Sequence, residues 1–388
     1  MWAPCHLEIR FRTLLVTSFH RRTLLTNQPL LPPSLQALQH QHAASPWALV
    51  TALACLLGRP ATAPTMPLLN LRLALLLSLA TSGKERLHLL VLGPDLVFAH
   101  RLLHDAIALA SRRALHSHAL PLGGVLAKDA TGVRCVQAGA LHRAQGGVVY
   151  LGELAALAPA TRQQVVAALD TATVPCPTLP RSPPTTEPLT TAVWGLAEGS
   201  SSTLHRTIKN IKSFYNVFGL VAHVEVEDEE VVRHCLLAQD TAPALPSEEL
   251  AALVEEVRHR AVTLSGACRR LLRGYYLASR RTRGGVGMPR SAIGALLLMA
   301  TAHTRLAMRT EGEEEDGAMS CLMLETSLAA APGGQAMVEL PPAPTSMDHL
   351  LGCTRDMEMR GFLERIKRFV ANFGPQDKGE EEEGWPEE

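Results

Sequence analysis

The fold is decided by the stretch GGVVYLGELAAL, which runs from Gly146 to Leu157. Its two glycines break a helix, and the residues from Val148 to Leu151 are β-branched, aromatic or aliphatic. From Glu153 onward the apolar residues follow a helical period. A short apolar run between a glycine pair and a helix is typical of a buried strand. We therefore predict a strand that delivers the carboxylate of Glu153 at its C-terminal end.

A second strand is predicted upstream, where HLLVLG ends at Gly93. It is followed by a turn and by a helical pattern, LVFAHRLLHDAIALASRR, from Leu96 to Arg113. Strand, glycine turn and helix is the order in which many α/β proteins bind phosphate. The order itself is common, so the side chains of the turn must decide whether it binds phosphate.

These side chains do not have phosphate-binding chemistry. A phosphate loop needs several glycines, a lysine for the β- and γ-phosphates and a hydroxyl for Mg²⁺. Here Gly93 is followed by Pro94 and Asp95, and Ala99 and His100 stand where the lysine and the hydroxyl are needed. We therefore expect no cofactor, neither ATP nor Mg²⁺. Weak nucleotide binding through backbone contacts near Gly93 is the alternative.

The composition limits the possible partners. The 388 residues are 47% hydrophobic and 19% charged, and 37 Lys and Arg balance 37 Asp and Glu. No net charge attracts nucleic acid, so any DNA binding must come from local basic patches. Eight cysteines are scattered without zinc-ligand spacing, which predicts reduced thiols and no metal site. The apolar runs are too short to span a membrane, so no membrane partner is expected.

The flanking regions are predicted to be mostly helical. WALVTALACLLG, capped by Ser45, and LLNLRLALLLSLA are apolar nearly all round and should be buried against a sheet. The stretch from Ser247 to Tyr276 is predicted to be helical, and HLLGCTRDMEMRGFLERIKRFVANFG to be amphipathic, with its aromatic side docking on the core. The acidic runs EGEEEDG and GEEEEGWPEE are predicted to be disordered, and residues 1–44 to be a divergent or disordered leader.

The segment GGVLAKDATGVRCVQAGALHRAQGG lies between the two strands, and Val125 to Val136 within it is predicted to be a β-hairpin. The succession KD, TG, AGAL and GG, followed by the acidic strand, resembles the AAA+ motor domain of the minichromosome maintenance helicases. The downstream segments FGL and ATAH extend the resemblance, which covers about residues 45–330. It implies an α/β fold, with a parallel sheet flanked by helices at 45–240 and a helical lid at 241–330. A linker, an amphipathic helix and an acidic tail would follow at 331–388.

The resemblance also implies that most catalytic groups of the family are replaced here. Gly152 stands for the metal-binding aspartate, Glu198 for the sensor-1 asparagine and Val217 for the arginine finger. Glu153 remains as a carboxylate that could polarise water. The sensor-2 position falls on Ser291, with Arg290 one residue away as a possible substitute.

DNA contacts are expected from basic residues of two hairpins. Lys128, Arg134 and Arg143 lie in or beside the first hairpin, where they would meet phosphates, and solvated loop charges are the alternative. Arg181 is the nearest basic residue of the second, whose prolines disfavour strand pairing. The basic stretch RRLLRGYYLASRRTRGG contains two tyrosines that could stack on bases, although an exposed helix with a mobile end is the favoured interpretation.

The resemblance therefore implies a non-catalytic AAA+ scaffold. The branch of the family with these replacements acts in the nucleus, in meiotic recombination and double-strand break repair, so DNA and other minichromosome maintenance-like or recombination proteins are the expected partners. The alternative is a subunit of an active helicase that contributes groups in trans. Val217 counts against this alternative, because such a subunit must offer an arginine.

Overall fold

The structure is a computed structural model, and it describes residues 32–58, 64–83, 85–94, 96–116, 121–128, 131–132, 134–176, 185–198, 211–237, 247–284, 288–289, 291–331 and 334–374. The described strands are β1 (Leu89–Gly93), β2 (Arg113–Leu115), β3 (Val125–Lys128), β4 (Arg134–Gln137), β5 (Val148–Glu153), β6 (Thr173–Cys176), β7 (Thr185–Pro188), β8 (Ala192–Glu198), β9 (Leu220–His223), β10 (Thr263–Leu264) and β11 (Glu311–Gly312).

The described helices are α1 (Pro33–Gln41), α2 (Ala48–Cys55), α3 (Leu69–Ala80), α4 (Val97–Ala108), α5 (Ala140–Arg143), α6 (Pro159–Thr171), α7 (Ile211–Val217), α8 (Asp228–Leu237), α9 (Ser247–His259), α10 (Gly266–Thr282), α11 (Ala292–Leu306), α12 (Glu314–Ala330), α13 (Met347–Leu351) and α14 (Cys353–Phe373). A single 3₁₀ turn, Leu154–Ala156, follows β5.

The central sheet has five strands in the order β2-β5-β8-β1-β9, and all the pairings are parallel. The two strands predicted from apolar runs, β1 and β5, are both interior strands, as expected for fully buried sequences. The chain leaves the sheet for two antiparallel ribbons, β3–β4 and β6–β7. The predicted α/β class with a parallel sheet is confirmed.

Successive strand residues point into different cores on the two faces of the sheet, because side chains alternate along a strand. In β1, Leu89 and Val91 contribute to a large core shared with α3 and the C-terminal helices. Leu90 and Leu92 contribute to a smaller core with α5, α6 and α7. The large core includes residues of both the sheet and the helices predicted to form the lid. It therefore does not mark a domain boundary, and the boundaries predicted at residues 44, 240 and 330 stay predictions.

Helix α3 is buried on every side except at Asn70, which explains its mostly apolar sequence. It contacts β1 and β9 on one side and the helices α2, α9 and α11 elsewhere. The expectation that both N-terminal helices lie against the sheet holds for α3, whereas α2 packs on α3, α11 and α13. The Ser45 hydroxyl accepts hydrogen bonds from the backbone N–H groups of Trp47 and Ala48, as its predicted capping role requires.

Two predictions of local structure were wrong, and the described part of the predicted leader is ordered. The helix after β1 ends at Ala108, and Arg113–Leu115 forms β2 because it pairs with β5, a tertiary contact that outweighs helix propensity. The stretch from Ser247 to Tyr276 is interrupted by β10, which pairs with β11. Part of the predicted leader is the helix α1, which begins with Pro33 and buries Leu35.

The acidic run EGEEEDG is ordered, which corrects the prediction of disorder. Glu311 and Gly312 form β11, and Glu313 caps α12 in a reciprocal capping box with Asp316. The carboxylate of Asp316 is fully buried and accepts hydrogen bonds from His303 Nδ1 at 2.5 Å and Arg309 at 2.7 Å. The second acidic run lies outside the described residues.

The amphipathic C-terminal helix docks on the body as predicted. Phe362, Ile366 and Phe369 are buried, and α14 packs on α10 and α12. Within the described part of the chain, none of the helices combines the length and the apolarity that crossing a membrane requires.

Replacing Asp316 with Asn should destabilise the fold in a pH-dependent way. Burial raises the pKa of Asp316, but the hydrogen bond from His303 and the charge of Arg309 outweigh it and hold the pKa below the ordinary value of 3.8. The stabilisation is therefore complete above about pH 4 and is lost as the pH falls through the lower folded pKa. We expect Asp316→Asn to lower the free energy of unfolding by about 3 kcal/mol at pH 7.

Urea unfolding of both proteins between pH 7 and pH 3 checks this, and the difference should shrink below about pH 4. Glu364→Gln, an exposed carboxylate on α14, is the matched control and should give a small difference throughout. A penalty at Asp316 that did not change with pH would contradict the assignment of an ionised, hydrogen-bonded carboxylate.

Candidate functional site

The C-terminal edge of the sheet brings together three positions singled out in the sequence. The strands β1 and β8 are neighbours in the sheet. The connection after β1 leads to β2 at one end of the strand order, and the connection after β8 leads to β9 at the other end, so the two connections leave in opposite directions. Ligands of open α/β sheets bind in the crevice at such a reversal. Gly93 pairs in register with Glu198, and Glu153 with Leu196, so both exposed carboxylates lie at this edge beside the turn.

Close packing accounts for the glycine of the turn. A Cβ atom on Gly93 would lie 2.1 Å from the carbonyl oxygen of Val224 and 2.9 Å from Leu96 Cδ2. The Val224 N–H also donates to the carbonyl of Leu92 at 2.8 Å, which holds the chain after β9 against the end of β1. Pro94 offers no N–H, and Asp95 lies outside the described residues. Gly93 therefore serves strand packing in this turn.

The two positions that would carry the lysine and the hydroxyl face different environments. Ala99 is fully buried in the large core beside Leu102 and Leu103. His100 is exposed, and its Nδ1 lies 2.6 Å from the hydroxyl of Tyr150 on β5. Burial and the neighbouring His104 lower the pKa of His100, which favours a neutral ring. Position 99 has no space for a lysine directed at a phosphate, and position 100 is hydrogen-bonded to the sheet.

Gly152 has a conformational role. Its φ angle is 73°, and the pairing of β5 with β8 is irregular between Tyr150 and Glu153. A Cβ atom would meet nothing within 4 Å, so the left-handed backbone conformation, which favours glycine, is the constraint at this position. An aspartate here would have to adopt that strained conformation.

The arginine-finger and sensor-2 positions contribute to packing. Val217 is buried with Phe214 and Phe218 in the smaller core. The hydroxyl of Ser291 donates to the carbonyls of Asn216 at 3.1 Å and Phe218 at 3.4 Å, and so fastens the start of α11 to the end of α7. Arg290 lies outside the described residues, so its role stays a prediction.

The first hairpin forms as predicted, with Lys128 opposite Arg134 at its outer end. Lys128 is exposed, and for Arg134 the structure describes the backbone alone. The ribbon also exposes Val125, Leu126 and Val136, which is unusual for apolar side chains of this size. Arg143 is exposed on α5 and donates to the carbonyl of Ala138 at 3.0 Å.

The second hairpin forms despite its prolines, which corrects the expectation that they prevent pairing. Pro175 lies opposite Thr186 and Pro188 opposite Thr173 in a two-stranded ribbon, which tolerates proline better than a central strand does. Arg181 lies outside the described residues, so its predicted DNA contact is not located.

The paired tyrosines do not form a base-stacking surface. Tyr275 is fully buried and its hydroxyl donates to the buried carboxylate of Glu325 at 2.6 Å. Burial and Glu325 raise the pKa of Tyr275 well above its ordinary value, so the phenol stays protonated. Arg283 also contacts Glu325, at 2.9 Å, and completes an internal network. Tyr276 is half-buried beneath Arg280.

Two groups of interacting side chains were not predicted from the sequence. At the N-terminal edge of the sheet, Arg86 and Arg258 both donate to the carbonyl of Gly146. Burial and the charges of Arg258 and Arg305 lower the pKa of Arg86 to about 10. On one face of the second hairpin, the side chains of Cys176 and Glu187 converge with that of His142. Their sequence separations have no local pattern, so only the fold reveals them.

Comparison with known proteins supports the resemblance drawn from the sequence. No family model matches the chain. The chain is 25% identical over 357 residues to minichromosome maintenance domain-containing protein 2 of Mus musculus, 24% over 354 residues to that of Homo sapiens and 26% over 355 residues to that of Rattus norvegicus. The chain is a divergent protein similar to minichromosome maintenance domain-containing protein 2.

Each alignment covers 79% of this chain and 52% of the relative, so the chain spans about half the length of the relatives it matches. Together with the five-stranded parallel sheet flanked by helices, this similarity confirms the α/β, AAA+ fold class.

Replacing Gly93 with Ala should destabilise the protein, because the new methyl group would meet the Val224 carbonyl at the packed turn. We expect a loss of about 1–3 kcal/mol in the free energy of unfolding, measured in urea. Gly294→Ala is the matched control: its Cβ would meet nothing within 4 Å in α11, and a small gain is expected. Unchanged stability of Gly93→Ala would contradict the packing role.

Proposed function

We propose that this chain is a non-catalytic minichromosome maintenance-like AAA+ protein that acts as a DNA-associated scaffold. The observation that carries the proposal is the burial of Ala99, because the position of the phosphate-binding lysine faces the core. The similarity to minichromosome maintenance domain-containing protein 2 supports the family. Nuclear location, meiotic recombination, double-strand break repair and association with other recombination proteins are proposed on the resemblance alone.

The absence of catalysis is proposed from several positions together. Phosphoryl transfer requires positioned cations around the transferred group, and loss of an arginine finger alone costs about 10³- to 10⁵-fold in rate. Here Ala99 and Val217 are apolar core residues, and Gly152 has a left-handed backbone conformation within β5. Glu153 retains a carboxylate at the strand end, but a water-polarising group has no effect without a bound phosphate.

DNA association is proposed from the β3–β4 hairpin. Its outer end carries Lys128 opposite Arg134. A ribbon that leaves the sheet can reach a DNA backbone, and lysine contacts to phosphate do not depend on base sequence. The chain is neutral overall, so such binding would be local and sensitive to salt.

The alternative, a subunit that completes the site of an active helicase, needs a cation directed at a neighbour. Val217 is buried, which counts against it, and Arg290 is the remaining candidate. Co-purification with an active helicase, followed by a loss of the ATPase of that complex in Arg290→Ala, would favour the alternative over the scaffold.

Purified chain should not hydrolyse ATP, and restoring the lysine should not create activity. Wild type and Glu153→Ala are expected to give the same turnover in a coupled ATPase assay. Ala99→Lys should remain inactive and lose about 3 kcal/mol of stability, because it places a charge in the core. Ala108→Lys, on the exposed side of the same helix, is the control and should stay folded. Wild-type turnover that Glu153→Ala abolishes would overturn the proposal.

Lys128→Ala should weaken DNA binding uniformly across sequences. If Lys128 contacts one phosphate, its removal reduces the slope of log affinity against log salt by about one. Fluorescence anisotropy with single- and double-stranded oligonucleotides over a salt series measures this. Lys367→Ala is the control, because Lys367 pairs with Glu314 at 2.8 Å on the helical side of the molecule. Equal affinity and slope for wild type and Lys128→Ala would show that Lys128 is a solvated loop charge.

A further inference from the structure

Three side chains with metal-ligand chemistry meet on one face of the second hairpin. They are His142 of α5, Cys176 of β6 and Glu187 of β7. His142 Nε2 lies 3.3 Å from Cys176 Sγ and 3.9 Å from Glu187 Oε2, and all three ligand atoms lie within 4.8 Å of one another. Among the described residues, this is the group of three or more such side chains that is close enough to share one ion.

The fold holds the three side chains independently. In the ribbon, Val174 pairs with Glu187 and Cys176 with Thr185, so Cys176 and Glu187 are diagonal neighbours on one face. His142 comes from a separate element, α5. The buried hydroxyl of Thr191 donates to carbonyls of this helix, which fixes its position next to the sheet.

The distances suit a tetrahedral ion. Zinc binds His nitrogen and carboxylate oxygen at about 2.0 Å and thiolate sulfur at about 2.3 Å, so adjacent ligand atoms lie about 3.3–3.5 Å apart. The distances from His142 Nε2, 3.3 and 3.9 Å, are close to this range. Imidazole, thiolate and carboxylate together form a ligand set of borderline softness, which favours Zn²⁺ over Mg²⁺ or Ca²⁺.

We propose that His142, Cys176 and Glu187 bind one Zn²⁺ ion. The thiol of Cys176 gives its proton to solvent on binding, and the ion takes its place beside Glu187. Water completes the fourth position, since the sequence PTLPRSPP between β6 and β7 offers no His, Cys, Asp or Glu. A cleft of about 10 Å³ lined by His142, Glu187 and Thr190 has space for about one water molecule.

The ion would link the two hairpins. Cys176 and Glu187 belong to the second hairpin, whereas α5 begins three residues after the first one ends at Gln137. Binding therefore fastens one face of the β6–β7 ribbon to the segment that anchors the β3–β4 ribbon. This role is independent of the proposed DNA binding and goes beyond it.

A metal-free cluster is the competing explanation. Without an ion, burial and the hydrogen bond to Glu187 raise the pKa of Cys176, and the neutral thiol donates to the carboxylate. His142 Nδ1 is buried without a hydrogen-bond partner in the described part of the chain. Metal content and cobalt spectroscopy distinguish the two states, because only a metal-bound thiolate gives a ligand-to-metal charge-transfer band.

The test uses the full chain, purified with Zn²⁺ or Co²⁺ and dialysed against metal-free buffer. We expect one Zn²⁺ per chain by elemental analysis, a cobalt–thiolate band in the near ultraviolet, and a melting temperature that rises when Zn²⁺ is restored. Cys176→Ser should remove the band, and His142→Gln and Glu187→Gln should each weaken Zn²⁺ binding at least about tenfold.

Cys135→Ser is the matched control, since this cysteine is exposed on the neighbouring ribbon. It should retain metal, band and melting shift, and circular dichroism confirms that each variant is folded. Absence of stoichiometric zinc and of the cobalt–thiolate band in the wild type overturns the proposal. So does a folded Cys176→Ser variant that keeps both, because another cysteine would then be the ligand.

Discussion

The rest of the structure depends on the burial of α3 between the sheet and the C-terminal helices. Ser78 on this helix accepts a hydrogen bond from the indole of Trp194 at 2.9 Å and donates to the carbonyl of Leu87 at 2.7 Å, so the helix is fixed to β8 and to the segment that precedes β1. Arg72, also fully buried, donates to the carbonyl of Leu57. These polar groups have partners, as buried groups must. Because α9 and α11 pack on the same helix, the lid cannot leave the sheet without exposing the large core.

Close packing extends to the C-terminal ends of the strands, where it determines which groups are available to a ligand. The chain after β9 lies against Gly93, and α4 directs Ala99 into the core. A glycine after a strand is compatible with phosphate binding and with close backbone packing, and the distance to the Val224 carbonyl favours packing here. The exposed carboxylates Glu153 and Glu198 lie at the same edge. Their negative charge does not attract a phosphate.

The sequence was most informative where burial imposes a local period. The strands β1 and β5, the hairpin from Val125 to Val136 and the apolar side of α14 follow from such patterns. The sequence was not informative where contacts with residues distant in the chain determine the local structure. Arg113–Leu115 is a strand because β5 is beside it, and Asp316 can be buried because it is hydrogen-bonded to His303 and Arg309. The sequence predicts that Tyr275 could stack on bases, but its hydroxyl donates a hydrogen bond to Glu325 on another helix.

The positions that the resemblance equates with catalytic groups of the helicases contribute to the stability of the fold. Val217 fills the smaller core, the Ser291 hydroxyl joins α11 to α7, and His100 is hydrogen-bonded to Tyr150. Restoring an ATPase residue at such a position would remove a contact as well as add a charge, so each reversal carries a stability cost. The hairpins are under no such constraint, because their outer residues are exposed. Under the proposed function, nucleotide chemistry is lost while the exposed faces of the ribbons keep surfaces for DNA, a metal ion or a partner protein.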